Sequence, residues 1–227
     1  MDITELKKQA AEKAVEYVKS GMVVGLGTGS TAIFAIYKIG QLLKEGKLKD
    51  IIGVPTSIAS ETEARKLGIP LAGLEERPVI DITIDGADEV DDNLNLIKGG
   101  GGAHLREKVV AQASRKLIIV CDDSKISARL GEKFYVPVEV IPFAEKTVND
   151  FLVSLGAGVS KRKTKVGGIF ISDEKNIILD ARFAPIDDPV ALSHKLKEKA
   201  GIVEHGLFTG LTSKVIVASP DGIKILQ

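Results

Sequence analysis

DITIDGADEVDDNLNLIKGGGGAHLREK, residues Asp81–Lys108, is the stretch from which the fold can be read. With Ile80 in front of it, the alternating apolar residues predict a buried strand over Ile80–Ile84, broken at Asp85-Gly86-Ala87-Asp88. Lys98 then leads into Gly99-Gly100-Gly101-Gly102, and a helix carrying Glu107 follows. Two carboxylates at a strand's C-terminal end, a lysine, a backbone-rich loop and a further carboxylate form an active-site inventory that no plain linker requires. A strand that ends in functional groups and feeds a helix is the repeating unit of a parallel α/β sheet.

Working towards the N-terminus, Met22–Leu26 predicts a second buried strand. It runs into Gly25-Leu26-Gly27-Thr28-Gly29-Ser30-Thr31 and a helix with Ile33, Ile36, Leu42 and Leu43 inward. Free amides at a helix start, the positive end of its dipole and two kinds of hydroxyl suit a phosphate-sized anion, although a purely structural glycine turn has the same composition. A dinucleotide fingerprint fails twice. Ser30 stands at the third glycine position, and the next strand, Ile51–Val54, ends in Pro55-Thr56-Ser57 without an acidic ribose ligand. No Gly-Lys-Ser/Thr follows the loop, so a nucleoside triphosphate loop is also excluded. Upstream, Asp2 and Glu5 have capping-box spacing for a helix running to Lys19. Downstream, Ser57 should cap a helix that stops at Gly68, with a short strand at Ile69–Ala72.

Towards the C-terminus, Leu117–Cys121 predicts another buried strand, ending in Asp122-Asp123-Ser124-Lys125 on the same rim. That makes Lys125 a candidate phosphate or sugar contact, against the plainer reading of a solvated lysine. From about Gly131 the texture changes. A strand over Tyr135–Ile141 broken by Pro137, a helix near Glu145–Leu155, strands near Gly158–Lys163, Gly168–Ser172 and Asn176–Asp180, a helix capped by Asp188, and a strand at Ile202–His205 give the order β-α-β-β-α-β. The expected class is therefore α/β: a Rossmann-like, mostly parallel sheet with helices on both faces, plus a smaller ferredoxin-like α+β domain. The expected boundaries are 1–130 with 206–227 for the first and 131–205 for the second. Strands at Val215–Ala218 and Ile223–Leu226 return to the first. Lys161-Arg162-Lys163-Thr164-Lys165 reads as a solvated edge or interface.

Composition limits the function classes. Apolar residues make up 44% and aromatics 4%, which suits Val/Ile/Leu/Ala cores around a parallel sheet. Thirty-one basic residues balance 31 acidic ones, without the basic excess of a nucleic-acid surface. One cysteine, Cys121, excludes an intrachain disulfide framework, and no Cys/His cluster has zinc spacing. MDITELKKQAAEK reads as a polar-faced helix rather than an export signal, and no apolar run is long enough for a bilayer, so a cytoplasmic protein is expected.

The central residues suit sugar chemistry. Asp85 and Asp88 lack the alternating oxygen ligands of a calcium loop, whereas ionised carboxylates accept hydrogen bonds from vicinal hydroxyls. Four consecutive glycines cost entropy, most simply offset by close approach of backbone to a ligand. Glu107, near a helix N-terminus, is favoured in the ionised form a general base requires. His104, His194 and His205 show no partner or metal spacing and are assigned no role.

These motifs resemble ribose-5-phosphate isomerase type A. GLGTGSTA at 25–32, DGADEVD at 85–91, KGGGGAHLREK at 98–108 and DDSK ending at Lys125 carry the resemblance; GVPTS at 53–57, VPVEVIP at 136–142, NIILD at 176–180 and GLF at 206–208 extend it over nearly the whole chain. It implies a metal-independent, cofactor-free aldose–ketose isomerase that interconverts D-ribose 5-phosphate and D-ribulose 5-phosphate in the non-oxidative pentose phosphate pathway. Glu107 matches the family's base, moving a proton between C2 and C1 through a cis-enediolate, and Lys98 matches the group that stabilises the oxyanion. Asp85 and Asp88, with Gly86 and Ala87 between them, match the segment that binds hydroxyls and assists ring opening. Thr28, Gly29, Ser30 and Thr31, then Gly99, Gly100 and Gly101, match the substrate loops. Lys125 matches a further substrate-binding lysine, and the carry-over extends to Lys7 at the phosphate. A homodimer or homotetramer is implied, with the smaller domain as lid and interface. The rival classes are a sugar-phosphate sensor, which needs no proton-transfer base, and a sugar-phosphate deaminase or lactone hydrolase, which product analysis separates.

Overall fold

The computed structural model describes residues 2–227. The elements, in chain order, begin with α1 (Ile3–Val15), β1 (Val23–Leu26), α2 (Ala32–Lys44), β2 (Ile52–Pro55), α3 (Ile58–Lys66) and β3 (Ile82–Gly86). Next come β4 (Glu89–Val90), β5 (Leu96–Ile97), α4 (His104–Gln112), β6 (Leu117–Asp122), β7 (Val136–Val140), α5 (Glu145–Ser154) and β8 (Gly158–Lys161). The chain finishes with β9 (Ile177–Arg182), α6 (Pro189–Lys197), β10 (Ile202–His205), β11 (Leu207–Phe208), β12 (Lys214–Ser219) and β13 (Gly222–Leu226). They divide into two compact units: Met1–Ala87 with Arg106–Ser124 and Leu211–Gln227, and Asp88–Leu105 with Lys125–Gly210. Relative to the sequence-based boundaries, 88–105, 125–130 and 206–210 belong to the second unit. The reason is local: the short sheet β11-β5-β4 ties 88–105 to 206–210, and a bridge between Val90 and Ile126 adds 125–130.

The first unit is a six-stranded sheet in the order β13-β12-β6-β3-β1-β2, parallel throughout except for β13. Because side chains alternate along a strand, Val24 and Leu26 of β1 join Ile82, Ile84, Ile118 and Val120 in one core layer beneath α1 and α2. Val23 faces the other way, into a layer with Val54, Ile80 and Val110 of α4. Helices therefore cover both faces, and β6, between parallel neighbours, is buried at every residue. Burial of each such Val, Leu or Ile contributes about 1.5–3 kcal/mol, which offsets the entropy of ordering the loops above them.

Several local expectations change. Helix α1 stops at Val15 rather than Lys19, because the chain tightens into Tyr17 N–H to Ala14 O and Val18 N–H to Val15 O bonds that turn Val18 into the core. Asp2 makes no side-chain cap. The segment 69–72 forms a single bridge, Leu71 to Gly53, because Pro70 has no N–H to extend the ladder. Strand β3 continues through Asp85 and Gly86, which pair with Ile119 and Val120. The Ser57 cap is present, its hydroxyl accepting from Ser60 N–H at 3.0 Å.

The second unit carries a four-stranded antiparallel sheet in the order β10-β7-β9-β8, with α5 and α6 as the crossings. This is the ferredoxin-like arrangement expected from β-α-β-β-α-β. Val136, Val138 and Val140 of β7 pack with Val148, Leu152, Leu179 and Leu196. Pro137 does not break the strand. It pairs with Asp180, and its missing N–H lies where the β10 ladder has already ended at Val138–His205, while its carbonyl accepts from Gly206 N–H at 2.7 Å. Residues 168–172 form only bridges, Ile169 to Lys163 and Ile171 to Ile177, rather than a strand. Asp188 caps α6 through Ala191 N–H at 2.9 Å, as its position before Pro189 predicts.

Candidate active site

In the first unit, strand pairing sets the geometry of the loop that follows β1. Gly27 N–H donates to Ile84 O at 3.0 Å, and Thr28 N–H donates to Oδ1 of Asp85 at 3.0 Å. The same oxygen accepts from Gly86 N–H at 2.8 Å, so two amides orient a carboxylate that is only 1% exposed. Such bonds to a carboxylate are about twice as strong as neutral ones. The Thr28 hydroxyl lies 2.7 Å from both Thr56 Oγ1 and Ser57 Oγ, and Ser57 is itself held at the start of α3. Thr28 is thus fixed by backbone on one side and by a hydroxyl chain on the other.

The glycines here have different reasons. A β-carbon on Gly25 would collide with Thr83 Oγ1 and come within 2.9 Å of Val110, and one on Gly27 would stand 2.4 Å from Ile84 O. These two serve packing behind the loop. Gly29 alone adopts φ +111° in open surroundings. Gly29, Ser30 and Thr31 precede α2, whose N-cap Thr31 leaves the first-turn amides without a side-chain cap. Lys7 Nζ donates to Ser30 Oγ at 3.0 Å, bringing a cation to this loop. An oxyanion of phosphate size is matched by that combination of dipole, hydroxyls and ammonium.

Glu107 belongs to the first unit as well. It lies in the first turn of α4 and is 4% exposed.

In the second unit, Asp88 and Lys98 are set by the short sheet. Asp88 N–H bonds Ile97 O at 2.9 Å, and Lys98 N–H bonds Gly206 O at 2.8 Å. Lys98 is 2% exposed, with Nζ 5.6 Å from the centroid of the Phe208 ring. An ammonium over an aromatic face keeps part of the stabilisation it loses with water. Asp88 Oδ2 accepts from Gly100 N–H at 2.7 Å, which brings the carboxylate and the glycine loop together.

Three of the four glycines in this loop are also required by its own walls. A β-carbon on Gly99 would meet the His104 ring at 2.7 Å, one on Gly100 would meet the Asp88 carboxylate at 2.6 Å, and one on Gly102 would meet Phe170 at 2.4 Å. Gly99 and Gly102 also hold φ of +100° and +83°. His104 is fully buried, with its ring beside Gly99. Lys125 ends a single 3-10 turn, Asp123–Lys125, and is half-buried.

Sequence reasoning missed Arg162. In place of a solvated edge, the structure puts its guanidinium at 8% side-chain exposure against Asp180, with Nη1 donating to Gly99 O at 2.6 Å and Gly100 O at 3.2 Å. The available signal was one arginine among lysines: a planar fork suits a buried carboxylate, and a lysine does not. Among the described residues no group of three His, Cys, Asp or Glu side chains is arranged to hold a metal, and no helix is long and apolar enough to cross a membrane.

The mostly parallel sheet with helices on both faces, followed by a second antiparallel unit, places the chain in the α/β class. A profile of the family described as ribose 5-phosphate isomerase A (phosphoriboisomerase A) matches residues 52–222. The chain is 64% identical over 222 residues to the ribose-5-phosphate isomerase A of Desulfatibacillum aliphaticivorans, covering 98% of this chain and 96% of that protein. Among solved structures, ribose 5-phosphate isomerase A of Methanocaldococcus jannaschii superposes with a TM-score of 0.95 at 41% identity, over 100% of both chains. The enzyme from Plasmodium falciparum gives 0.95 at 46%, over 99% of this chain and 98% of that one. A ribose-5-phosphate isomerase solved with phospho-erythronic acid gives 0.98 at 40%, over 100% of both chains. The chain belongs to the ribose 5-phosphate isomerase A family.

Proposed function

We propose that this enzyme interconverts D-ribose 5-phosphate and D-ribulose 5-phosphate through a cis-enediolate, with Glu107 as the base. The carboxylate takes the proton from C2 of the open-chain aldose, electrons shift towards O1, and the same proton returns to C1 as the ketone forms at C2. The observation that carries this reading is a buried glutamate in the first helical turn after KGGGG, in a chain of this family. Exclusion of water strengthens every charge interaction made during proton transfer.

Lys98 stabilises the oxyanion as it develops, and reactions of this kind gain most of their acceleration from such preorganised charge. Asp85 and Asp88 receive sugar hydroxyls, open the ring and move the proton between O1 and O2. Thr28, Gly29, Ser30 and Thr31 hold the phosphate end with Lys7, while Gly99, Gly100, Gly101 and Lys125 contact the sugar phosphate. The relative solved with phospho-erythronic acid supports the substrate class, since that ligand pairs a planar anionic carboxylate with a phosphate, as the enediolate of a pentose phosphate pairs a planar anionic oxygen with one. No metal enters the reaction. The enzyme acts in the cytoplasm, in the non-oxidative branch of the pentose phosphate pathway, as a homodimer or homotetramer whose second unit serves as lid and interface.

Proton NMR of ribose 5-phosphate with the enzyme in D2O tests this. Ribulose 5-phosphate should appear in EDTA and fail to appear with Glu107→Gln, with a loss of about 10²–10⁴-fold in turnover. Near-normal turnover by the folded variant removes Glu107 as the base, and loss of activity in chelator removes the metal-free route.

A further inference from the structure

The loop that follows Lys98 is held from behind by a side chain from a distant part of the chain. Arg162 lies just past β8, its backbone N–H donating to Ile178 O at 2.9 Å and its carbonyl accepting from Phe170 N–H at 3.0 Å. That anchorage directs the guanidinium between two aromatic rings, with its carbon 5.5 Å from the Tyr135 centroid and 5.8 Å from that of Phe170. Nε donates to both Asp180 oxygens at 3.1 and 3.0 Å, and Nη2 also bonds Asp180. Nη1 is left to bond the carbonyls of Gly99 and Gly100.

A glycine peptide has no side chain to fix its rotation, so its carbonyl and the next amide turn together about the chain. Holding Gly99 O at 2.6 Å therefore fixes the amide of Gly100, the group that donates to Asp88 Oδ2 at 2.7 Å. The bond to Gly100 O at 3.2 Å bears in the same way on the next peptide, Gly100–Gly101. One buried cation, together with the Gly102 N–H that donates to the same Gly99 oxygen at 2.9 Å, thus sets the conformation of the segment between a proposed oxyanion-stabilising lysine and a proposed hydroxyl-binding carboxylate. A lysine at position 162 would lack the fork needed to reach Asp180 and the carbonyls at once.

We infer that Arg162 is a positioning residue for isomerisation: with Asp180 as its counter-ion, it sets the Lys98–Gly101 loop in its working conformation and orients Asp88. The inference rests on the proposed roles of Lys98 and Asp88. Misplacement of such groups by about 1 Å costs on the order of 10²-fold.

The test measures kcat and KM for ribose 5-phosphate in wild type, Arg162→Ala, Arg162→Lys and the double variant Arg162→Met/Asp180→Asn. Millimolar guanidinium is added to each, and hydrogen exchange of the segment 98–102 is followed by mass spectrometry. The double variant leaves no unpaired buried carboxylate, so it reports even if Arg162→Ala does not fold. Arg162→Ala and the double variant should lose about 10–10²-fold in kcat with a smaller change in KM. Arg162→Lys should recover only part of that loss. Guanidinium should restore part of the Arg162→Ala activity, by occupying the site between Asp180 and the carbonyls, and none in the double variant. Exchange at 98–102 should rise without a rise elsewhere. Turnover within about twofold of wild type in the folded double variant overturns the inference, and so does unchanged exchange at 98–102. A loss that Arg162→Lys and guanidinium leave untouched, with exchange raised throughout, also overturns it in favour of a general structural role. If wild type makes no ribulose 5-phosphate, the proposed function fails, and hydrogen exchange still decides whether Arg162 holds the loop.

Discussion

The amide of Thr28 and the carboxylate of Asp85 meet at 3.0 Å, so a residue in the loop just past β1 and one near the end of β3 fix each other. The contact joins the loop expected at the phosphate to the segment expected at the sugar hydroxyls. Asp85→Asn keeps the shape of the acceptor but removes its charge. The bonds from Thr28 and Gly86 would weaken from charge-assisted to neutral, costing about 1 kcal/mol in denaturant unfolding. Turnover should fall by at least tenfold if the carboxylate also serves ring opening. Preserved kcat with lost stability would restrict Asp85 to shaping the loop.

Gly27→Ala should be disruptive although position 27 is not expected to touch the substrate. Its β-carbon would stand 2.4 Å from Ile84 O and 2.5 Å from Asp85 Oδ1, in a place where backbone must move. Overpacking of this kind costs about 1–3 kcal/mol. Thermal unfolding should show the loss, and KM for ribose 5-phosphate should rise as Thr28 shifts. An unchanged Tm would mean that the strand ends are looser than their packing implies.

Lys98→Met removes the ammonium and keeps an unbranched stem for the Phe208 ring, 5.6 Å from Nζ in the parent. The expected result is a loss of about 10²–10³-fold in kcat with near-parental stability, as for removal of an oxyanion donor. A raised KM with kcat intact would assign Lys98 to ground-state binding instead.

Glu139 carries a pH signature. Burial raises its carboxyl above the ordinary 4.5, against hydrogen bonds from Ser172 and Asn176 that act to lower it. A carboxyl whose folded pKa is raised holds its proton more tightly in the folded chain. Its contribution to stability is therefore full below the unfolded value and is lost as pH rises through the folded one. Glu139→Gln should unfold at a higher Tm than the parent at pH 7, with the advantage vanishing near about pH 4. Calorimetry across that range checks it, and a lower Tm at pH 7 would show that the ionised form is the one the site prefers.

Much of this was legible in the sequence because it is periodic or positional. Buried strands such as Leu117–Asp122, the Ser57 and Asp188 caps and the β-α-β-β-α-β order follow from spacing alone. What was not legible depends on residues far apart in the chain. Pro137 looked like a break, but the strand tolerates it because the neighbouring ladder ends at Val138–His205, a fact of pairing and not of local sequence. Arg162 looked solvated because its partners, Asp180 and the carbonyls of Gly99 and Gly100, lie 18, 63 and 62 positions away. The glycines were visible as a pattern, but the side chains each one makes room for were not.

That room has an evolutionary consequence. Gly25 is required by Thr83 and Val110, Gly27 by Ile84 and Asp85, and Gly102 by Phe170, none of which needs a substrate present. A descendant of this chain that abandoned isomerisation would still unfold or distort on losing them, so its glycine signatures would outlast its chemistry. Glu107 and Lys98, the base and oxyanion group of the proposed mechanism, would drift free first, and the glycine loops alone would go on marking such a retired enzyme as a working one.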